Sequence, residues 1–308
     1  MYNVFIDGKE GTTGLQIFDR LGKRDDIKIV SLSEERRKDV SARKEAINDA
    51  DVVFLCLPDA AARESAGLVE NEKVVVIDAS TAHRTQEGWA YGFPELSKKH
   101  REAIAHSKRI ANPGCYASGF ISLVYPLVQA GFVAPDYPFV CHAVSGYSGA
   151  GKKGIAQYES AERAKEFSSP RLYALTLNHK HLPEMQKVCA LDRTPLFNPY
   201  VCDYYSGMAV NVPLFVSMMK KKATAEDLAA FYREYYKDSR FLFVGKEESG
   251  FIAANVLDGT NKMEILSSGN GEQILLTSRF DNLGKGASGA AVQNMNIALG
   301  LDETLGLM

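Results

Sequence analysis

Hydrophobic and polar residues alternate along this chain in two different rhythms, and the change comes after the first third. In that third, short apolar runs alternate with stretches of helical composition. Val4-Phe5-Ile6 is followed by a glycine-rich turn and then by Leu15, Phe18 and Leu21 at near-helical spacing, which predicts strand, turn and helix. Ile27 to Leu32 reads as a second strand. Asp51 to Leu57 carries a continuous apolar run, the pattern of a strand buried on both faces, and Lys73 to Ile77 repeats it. Arg109-Ile110-Ala111 is a shorter strand, while Ala60 to Val69 and Lys98 to His106 have helical composition. Strands alternating with helices predict a parallel sheet of the doubly wound type.

After Gly114 the pattern predicts a helix from Cys115 to Ala130, kinked by Pro126. Strand-like segments follow at Phe139–Val144, Leu172–Leu175, Met208–Val216 and Phe241–Val244. Met263–Leu266 and Gln273–Phe280 flank Asn270-Gly271, a dipeptide favoured in hairpin turns. This half reads as α+β with a mainly antiparallel sheet. Ala287 to Leu299 is a small-residue helix ended by Gly300. The whole is therefore an α/β chain.

Length and composition narrow the classes. A chain of 308 residues suggests two domains, and 45% hydrophobic residues can build a core without staples. The net charge of -2 and the absence of a basic stripe give no reason to expect a nucleic-acid partner. No apolar run reaches the roughly 20 residues of a membrane-spanning helix. Met1 to Asp7 reads as a strand rather than a signal peptide. The five cysteines are odd in number and include no CxxC pair, so neither a metal site nor a disulfide framework is expected. Such thiols fit a reducing cytoplasm.

Gly8-Lys9-Glu10-Gly11-Thr12-Thr13-Gly14 follows the first strand and opens the first helix. This GxxGxxG turn is a variant of the dinucleotide fingerprint. Its glycines let the backbone approach a pyrophosphate, and the helix start supplies N–H donors. A purely structural turn is the plainer alternative. An NAD site usually has an acidic residue at the end of the second strand, but here the chain reads Ser31-Leu32-Ser33-Glu34-Glu35-Arg36-Arg37. Hydroxyls and arginines, Ser33 and Arg36 among them, suit the 2′-phosphate of NADP. Alternatively the arginines pair with Glu34 and Glu35 on a solvated helix.

Ala111-Asn112-Pro113-Gly114-Cys115-Tyr116 joins a strand to a helix and sets Cys115 in the first helical turn. Aligned backbone dipoles there favour a thiolate. Cys56, Cys141, Cys189 and Cys202 lack that setting and read as small buried hydrophobes. A thiolate nucleophile needs an acid/base. His100 and His106 lie on a charged helix and read as solvent-facing. His179 and His181, in Leu177-Asn178-His179-Lys180-His181-Leu182-Pro183-Glu184, point the same way if the segment is extended. Pro183 can start a helix, and Glu184 can complement its N-terminus or orient an imidazole. The residues alone leave either histidine functional or structural. The loop from Ser145 through Gly146, Tyr147 and Ser148 to Lys153 offers amides, hydroxyls and lysines to a carboxylate or phosphate. A flexible surface loop is its alternative.

Together these motifs resemble the N-acetyl-gamma-glutamyl-phosphate reductases of arginine biosynthesis, in their shorter form. The resemblance rests on GTTGLQI at 11–17, IDASTAHR at 77–84, YGFPEL at 91–96 and NPGCY at 112–116. It continues with SGYSGAGK at 145–152, LNHKHLPEM at 177–185 and FDNLGKGASGAAVQNMN at 280–296. It implies a Rossmann-type NADP domain at 1–114 plus 284–308, and a catalytic domain at 115–283 that also carries oligomerisation, as a dimer or tetramer. It implies Cys115 as the nucleophile, acylated to a thioester that NADPH reduces, with His181 as acid/base. Asn282 and Lys285 would then lie toward the nicotinamide. Arg84, Asn112, Ser145, Gly146, Ser148, His179 and Glu184 become candidate substrate contacts, Arg84 having a surface salt bridge as its alternative. A related semialdehyde dehydrogenase acting on aspartyl phosphate, or an NADP-binding regulator, would share many of these features.

Overall fold

The computed structural model describes residues 1–8, 11–246 and 249–307, so Lys9 and Glu10 of the glycine turn lie outside the described residues. The chain divides into one unit of 1–114 with 287–308 and a second of 115–286.

The first unit runs β1 (Tyr2–Asp7), α1 (Thr12–Leu21), β2 (Ile27–Val30), α2 (Val40–Asn48), β3 (Val52–Leu55) and α3 (Asp59–Gly67). It continues through β4 (Val75–Asp78), β5 (Ala90–Tyr91), α4 (Lys98–His106) and β6 (Arg109–Ala111). The six strands are parallel, in the order β2-β1-β3-β4-β6-β5. Every residue of β3 and β4 is buried, as their unbroken apolar runs require. Phe5, Val53, Leu55 and Val76 pack with Ala46 and Ile47 of α2. The strand order reverses between β1 and β3, and in open α/β sheets that switch point, at the carboxyl ends of the strands, is where ligands sit. In α1 the buried stripe is Gly14, Ile17 and Leu21, while Leu15 and Phe18 are exposed. The 14-17-21 spacing, rather than 15-18-21, is the one that faces the sheet. His100 differs from its expected solvent-facing place. It is half-buried against Ser97, and burial lowers its pKa, with Lys99 adding to the effect.

The second unit begins with α5 (Cys115–Gln129) and β7 (Val140–Gly146), then α6 (Gly151–Glu159), β8 (Arg171–Leu172), α7 (Leu182–Val188) and β9 (Leu196–Cys202). It ends with β10 (Met208–Phe215), α8 (Ala225–Tyr235), β11 (Leu242–Val244), β12 (Met263–Gly269) and β13 (Gln273–Phe280). The seven-stranded sheet has the order β11-β12-β13-β10-β7-β9-β8 and is mixed, with β11–β12 and β7–β9 parallel and the other pairs antiparallel. The pattern did not single out β9, whose Pro199 weakens the strand signal. The strand expected at Leu172–Leu175 stops at Leu172, because Ala174 turns into the left-handed region at φ 54°. Helices α5 and α8 cover one face of the sheet. Pro126 has no N–H to give the Ser122 carbonyl one turn back, and the Tyr236 hydroxyl donates to that carbonyl instead at 2.7 Å.

The chain returns to the first unit through a π-turn at Gly284–Ser288 and α9 (Gly289–Ala298), which packs on β4, α1 and α4. Asn294 of α9 donates through Nδ2 to the Gly92 carbonyl at 2.8 Å and to Asn112 Oδ1 at 3.1 Å. A Cβ at residue 92 would lie 2.4 Å from Asn294 Nδ2, so this amide bridge requires glycine there.

Candidate active site

In the first unit the carboxyl ends of β1, β2 and β3 frame a cleft of about 270 Å³, lined by Asp7, Gly8, Ser31, Leu32, Arg37, Lys38 and Leu57 among others. Gly8 has φ 88°, and a Cβ there would lie 2.4 Å from the Cys56 carbonyl oxygen, so no other residue fits. Gly11 caps α1 without a side chain, and the first turn, with Thr12 and Thr13, carries no acidic residue. The N–H groups and positive dipole end of α1 thus suit a phosphate, and the donor set fits a dinucleotide. Arg36 turns to Glu45, with Nη2 3.3 Å from Oε2 and both side chains exposed. The cleft is lined instead by Arg37 and Lys38, which the turn from Ser33 brings round: the Ser33 carbonyl accepts from the Arg36 and Arg37 amides at 3.0 Å. Ser31, rather than Ser33, is the hydroxyl on the cleft wall.

Arg84 and Asn112 are also in this unit, and both hold main chain. Arg84 donates to the carbonyls of Asn112 (2.9 Å) and Ala79 (3.0 Å). Asn112 is buried, with Nδ2 donating to the Ala287 carbonyl at 3.0 Å and Oδ1 accepting from Asn294.

In the second unit Cys115 opens α5, partly exposed, with no acidic side chain in the first turn to oppose a thiolate. Burial pushes the other four thiols up: Cys56 to about 12, with Asp78 and Asp7 adding to it, and Cys141, Cys189 and Cys202 also above their ordinary value. Cys141, Cys189 and Cys202 are buried, and Cys56 is partly exposed. The backbone of Gly286 closes on Cys115, since a Cβ there would lie 3.0 Å from the cysteine Cβ. Gly286 sits in the π-turn, where its N–H donates to the Asp281 carbonyl at 3.0 Å. Insertions of this kind cluster at functional sites.

Beside Cys115 the Tyr116 ring is the hub of an aromatic cluster. It stands 5.8 Å from the ring of His179, 6.0 Å from His181, 6.4 Å from Tyr173 and 5.2 Å from Phe197. Burial raises the Tyr116 phenol well above its usual range, with Tyr173 and Cys115 adding to the effect. Tyr173 is raised too, first by burial and further by Cys115. Strand β8 and the Tyr173 amide, which donates to the Pro199 carbonyl at 3.1 Å, fix one wall, and Phe197 of β9 supplies another. Between Tyr173 and His179 the chain passes through Ala174 (φ 54°) and Leu177 (φ 55°). Left-handed backbone at each costs roughly 1–2 kcal/mol, the kind of strain that collects at functional sites. His181 is buried and caps α7, and Glu184 is buried in the first turn of that helix.

The amides of Gly146, Tyr147 and Ser148 in the Ser145–Ser148 segment are taken by main-chain carbonyls. The N–H groups of Gly146, Tyr147 and Ser148 donate to the carbonyls of Gly207, Tyr204 and Tyr205, each at 2.9 Å. Gly146 is required because a Cβ would strike the Tyr205 carbonyl at 2.5 Å. The Ser145 side chain lies within hydrogen-bonding reach of the Tyr116 phenol. Asn282 bridges the same loop, its Oδ1 accepting from Gly207 N and its Nδ2 donating to Ser148 Oγ, both at 2.9 Å. Lys285 is buried, with Nζ 6.0 Å from the Phe241 ring centre. Among the described residues no group of three His, Cys, Asp or Glu could hold a metal ion.

Sequence reasoning singled out Cys115, His179 and His181 but gave no weight to Tyr116, Tyr173, Phe197 or Gly286. Tyr116 could have been found from its place beside Cys115, and Gly286 from the glycine spacing of GKGASG. Nothing local marks Tyr173 or Phe197.

The sequence model of the semialdehyde dehydrogenase NAD binding domain matches residues 3–106, and that of the semialdehyde dehydrogenase dimerisation domain matches 115–282. N-acetyl-gamma-glutamyl-phosphate reductase 2 of Pseudomonas putida is 47% identical over 96% of this chain and 96% of its own. The N-acetyl-gamma-glutamyl-phosphate reductase of Trichormus variabilis is 44% identical over 99% and 98%. Among solved structures, a probable aspartate-semialdehyde dehydrogenase from Pseudomonas aeruginosa superposes with a TM-score of 0.74 at 16% identity, over 97% of this chain and 98% of that one, which shows a shared fold. On these matches the chain belongs to the N-acetyl-gamma-glutamyl-phosphate reductases, within the semialdehyde dehydrogenase family.

Proposed function

We propose that this protein reduces N-acetyl-L-glutamyl 5-phosphate to N-acetyl-L-glutamate 5-semialdehyde and phosphate, through a thioester on Cys115, in arginine biosynthesis. The observation that carries the reading is the contrast among the cysteines: Cys115 opens a helix next to Tyr116, whose ring lies 6.0 Å from that of His181, while burial raises the other four thiols. The names of the relatives supply the substrate. An aspartyl phosphate substrate has support only from structures below 25% identity.

In the forward direction His181 takes the Cys115 proton. The sulfur adds to the acyl carbon, and the carbon–oxygen bond to phosphate breaks, which frees inorganic phosphate. When bound, the reduced nicotinamide supplies the hydride that converts the thioester carbonyl to the aldehyde level. His181 then steadies the resulting oxyanion with its proton, the carbon–sulfur bond breaks, and Cys115 is restored. A thioester accepts hydride far more readily than a carboxylate, which is the gain from the covalent route. First-turn N–H groups of α5 suit the oxyanion.

The cofactor is NADP, with Arg37 and Lys38 on the cleft wall suited to the 2′-phosphate. The protein forms a homo-oligomer, dimer or tetramer, through the exposed part of the sheet face opposite α5 and α8. Pairing register puts Pro213, Phe215 and Leu275 on that face with Phe243, and Phe215, Leu275 and Phe243 are exposed. The match to a dimerisation domain supports the same reading. The cytoplasm suits cysteines that form no disulfide, and no helix among the described residues is long and apolar enough to cross a membrane.

The direct test is phosphate-dependent reduction of NADP by N-acetylglutamate semialdehyde, run beside aspartate semialdehyde. The first should be used at least 100-fold better in kcat/KM, since a site built to bond an amide rejects its absence by such factors. Equal use, or preference for the second, would overturn the substrate assignment.

A further inference from the structure

His179 and His181 lie in one turn but are used differently. The His181 main-chain N–H donates to His179 Nδ1 at 3.2 Å, and the His179 carbonyl accepts from Leu182 N at 3.0 Å. A ring nitrogen that accepts carries no proton, so this bond requires the His179 proton to sit on Nε2. Its ring has little freedom. It stands edge-on to Tyr116 at 5.8 Å and 90°, to Phe197 at 5.1 Å and to Tyr173 at 5.8 Å. The fourth neighbour is His181 itself, at 4.7 Å and 81°. His179 thus touches His181 twice, once at the main chain and once ring to ring. The main-chain bond matters because His181 caps α7: its carbonyl accepts from Met185 N at 3.0 Å, so one side of the residue is tied to the helix and the other to His179.

We infer that His179 is a positioning residue. It acts through Nδ1 on the His181 backbone, with its ring wedged between three aromatic side chains, and sets the direction of the His181 imidazole; it does not bind substrate. The sequence alone had suggested a substrate contact. The inference rests on His181 being the acid/base of the proposed function.

Two amide substitutions separate the alternatives. The Asn side chain places its oxygen near the position of Nδ1, whereas the Gln side chain reaches the position of Nε2. A positioning role predicts that His179→Asn keeps kcat within roughly 3-fold of wild type. It predicts that His179→Gln lowers kcat by roughly 10-fold, the loss of one net hydrogen bond in a placed group. KM for the acyl phosphate should stay within about 2-fold in both, because truncating a uniform substrate contact would raise KM instead. The opposite order, equal losses in the two variants, or a loss carried by KM would overturn the inference. A second measurement needs neither substrate nor a variant that folds. Long-range ¹H–¹⁵N correlation on wild-type protein labelled at histidine should show His179 with a bare Nδ1 and a protonated Nε2 at neutral pH. A proton on Nδ1 would overturn the inference by itself. Failure of wild-type protein to reduce the acyl phosphate would instead strike the proposed function, and the tautomer would still decide the assignment.

Discussion

On the proposed reading, Cys115 and His181 divide the chemistry at the scale of single residues. Cys115→Ala should abolish turnover while leaving NADPH affinity within about 2-fold, because the sulfur acts in chemistry and not in cofactor binding. Steady-state reduction above a few per cent of wild type would exclude the nucleophile. Cys115→Ser should fail as well, since a hydroxyl lacks the nucleophilicity of a thiolate. His181→Asn should lower kcat by roughly 100-fold or more, the usual scale for an acid/base, measured at saturating acyl phosphate. In the cofactor cleft, Arg37→Ala should cut the preference for NADPH over NADH by roughly 10-fold, since a charge-assisted hydrogen bond is worth about 1.5–3 kcal/mol. Arg36→Ala should leave that ratio nearly unchanged, because Arg36 faces Glu45. Equal effects of the two substitutions would mean that the cleft does not bind the 2′-phosphate through Arg37. Residue types and motif order pointed to Cys115 and His181. The choice between Arg36 and Arg37 was not legible, because the fold of an irregular turn decides it: Arg36 pairs with Glu45, while Arg37 lies 3.9 Å from Glu34 and lines the cleft. Nor was the use of Asn112, Arg84 and Asn282 as main-chain clamps, since their partners lie far away along the chain.

Periodicity located most of the elements, and it failed where a proline or a left-handed residue broke the pattern. Strand β9 was lost behind Pro199, and the strand expected to reach Leu175 is cut short at Ala174, whose left-handed backbone no local signal announces. Helix α5 shows the reverse case. Its Pro126 was read as a helix kink, and the structure adds a specific repair, the Tyr236 hydroxyl on the Ser122 carbonyl. Tyr236→Phe removes that donor and leaves a buried carbonyl unsatisfied. It should cost about 1–3 kcal/mol of stability, read as a lower urea midpoint with an unchanged m-value. A midpoint equal to wild type would show that water or a neighbouring group serves that carbonyl equally well.

The rhythm of the sequence changes near Gly114, because parallel strands buried on both faces and mainly antiparallel strands write different patterns. The exposed part of the second sheet's face opposite α5 and α8 carries a prediction for the assembled molecule. Phe215→Asp with Leu275→Asp should shift the sedimentation coefficient to that of a single chain, while an oligomer that persists unchanged would place the interface elsewhere. The central claim is the order of chemistry, with acylation of Cys115 separate from hydride transfer. Protein mixed with N-acetylglutamyl phosphate and no NADPH should release about one equivalent of phosphate per active site and then slow sharply. Mass spectrometry after rapid quenching should find an N-acetylglutamyl group on the peptide that contains Cys115, and NADPH should discharge it as the semialdehyde. No adduct and no phosphate burst without NADPH would contradict the account, because phosphate would then leave only during or after reduction.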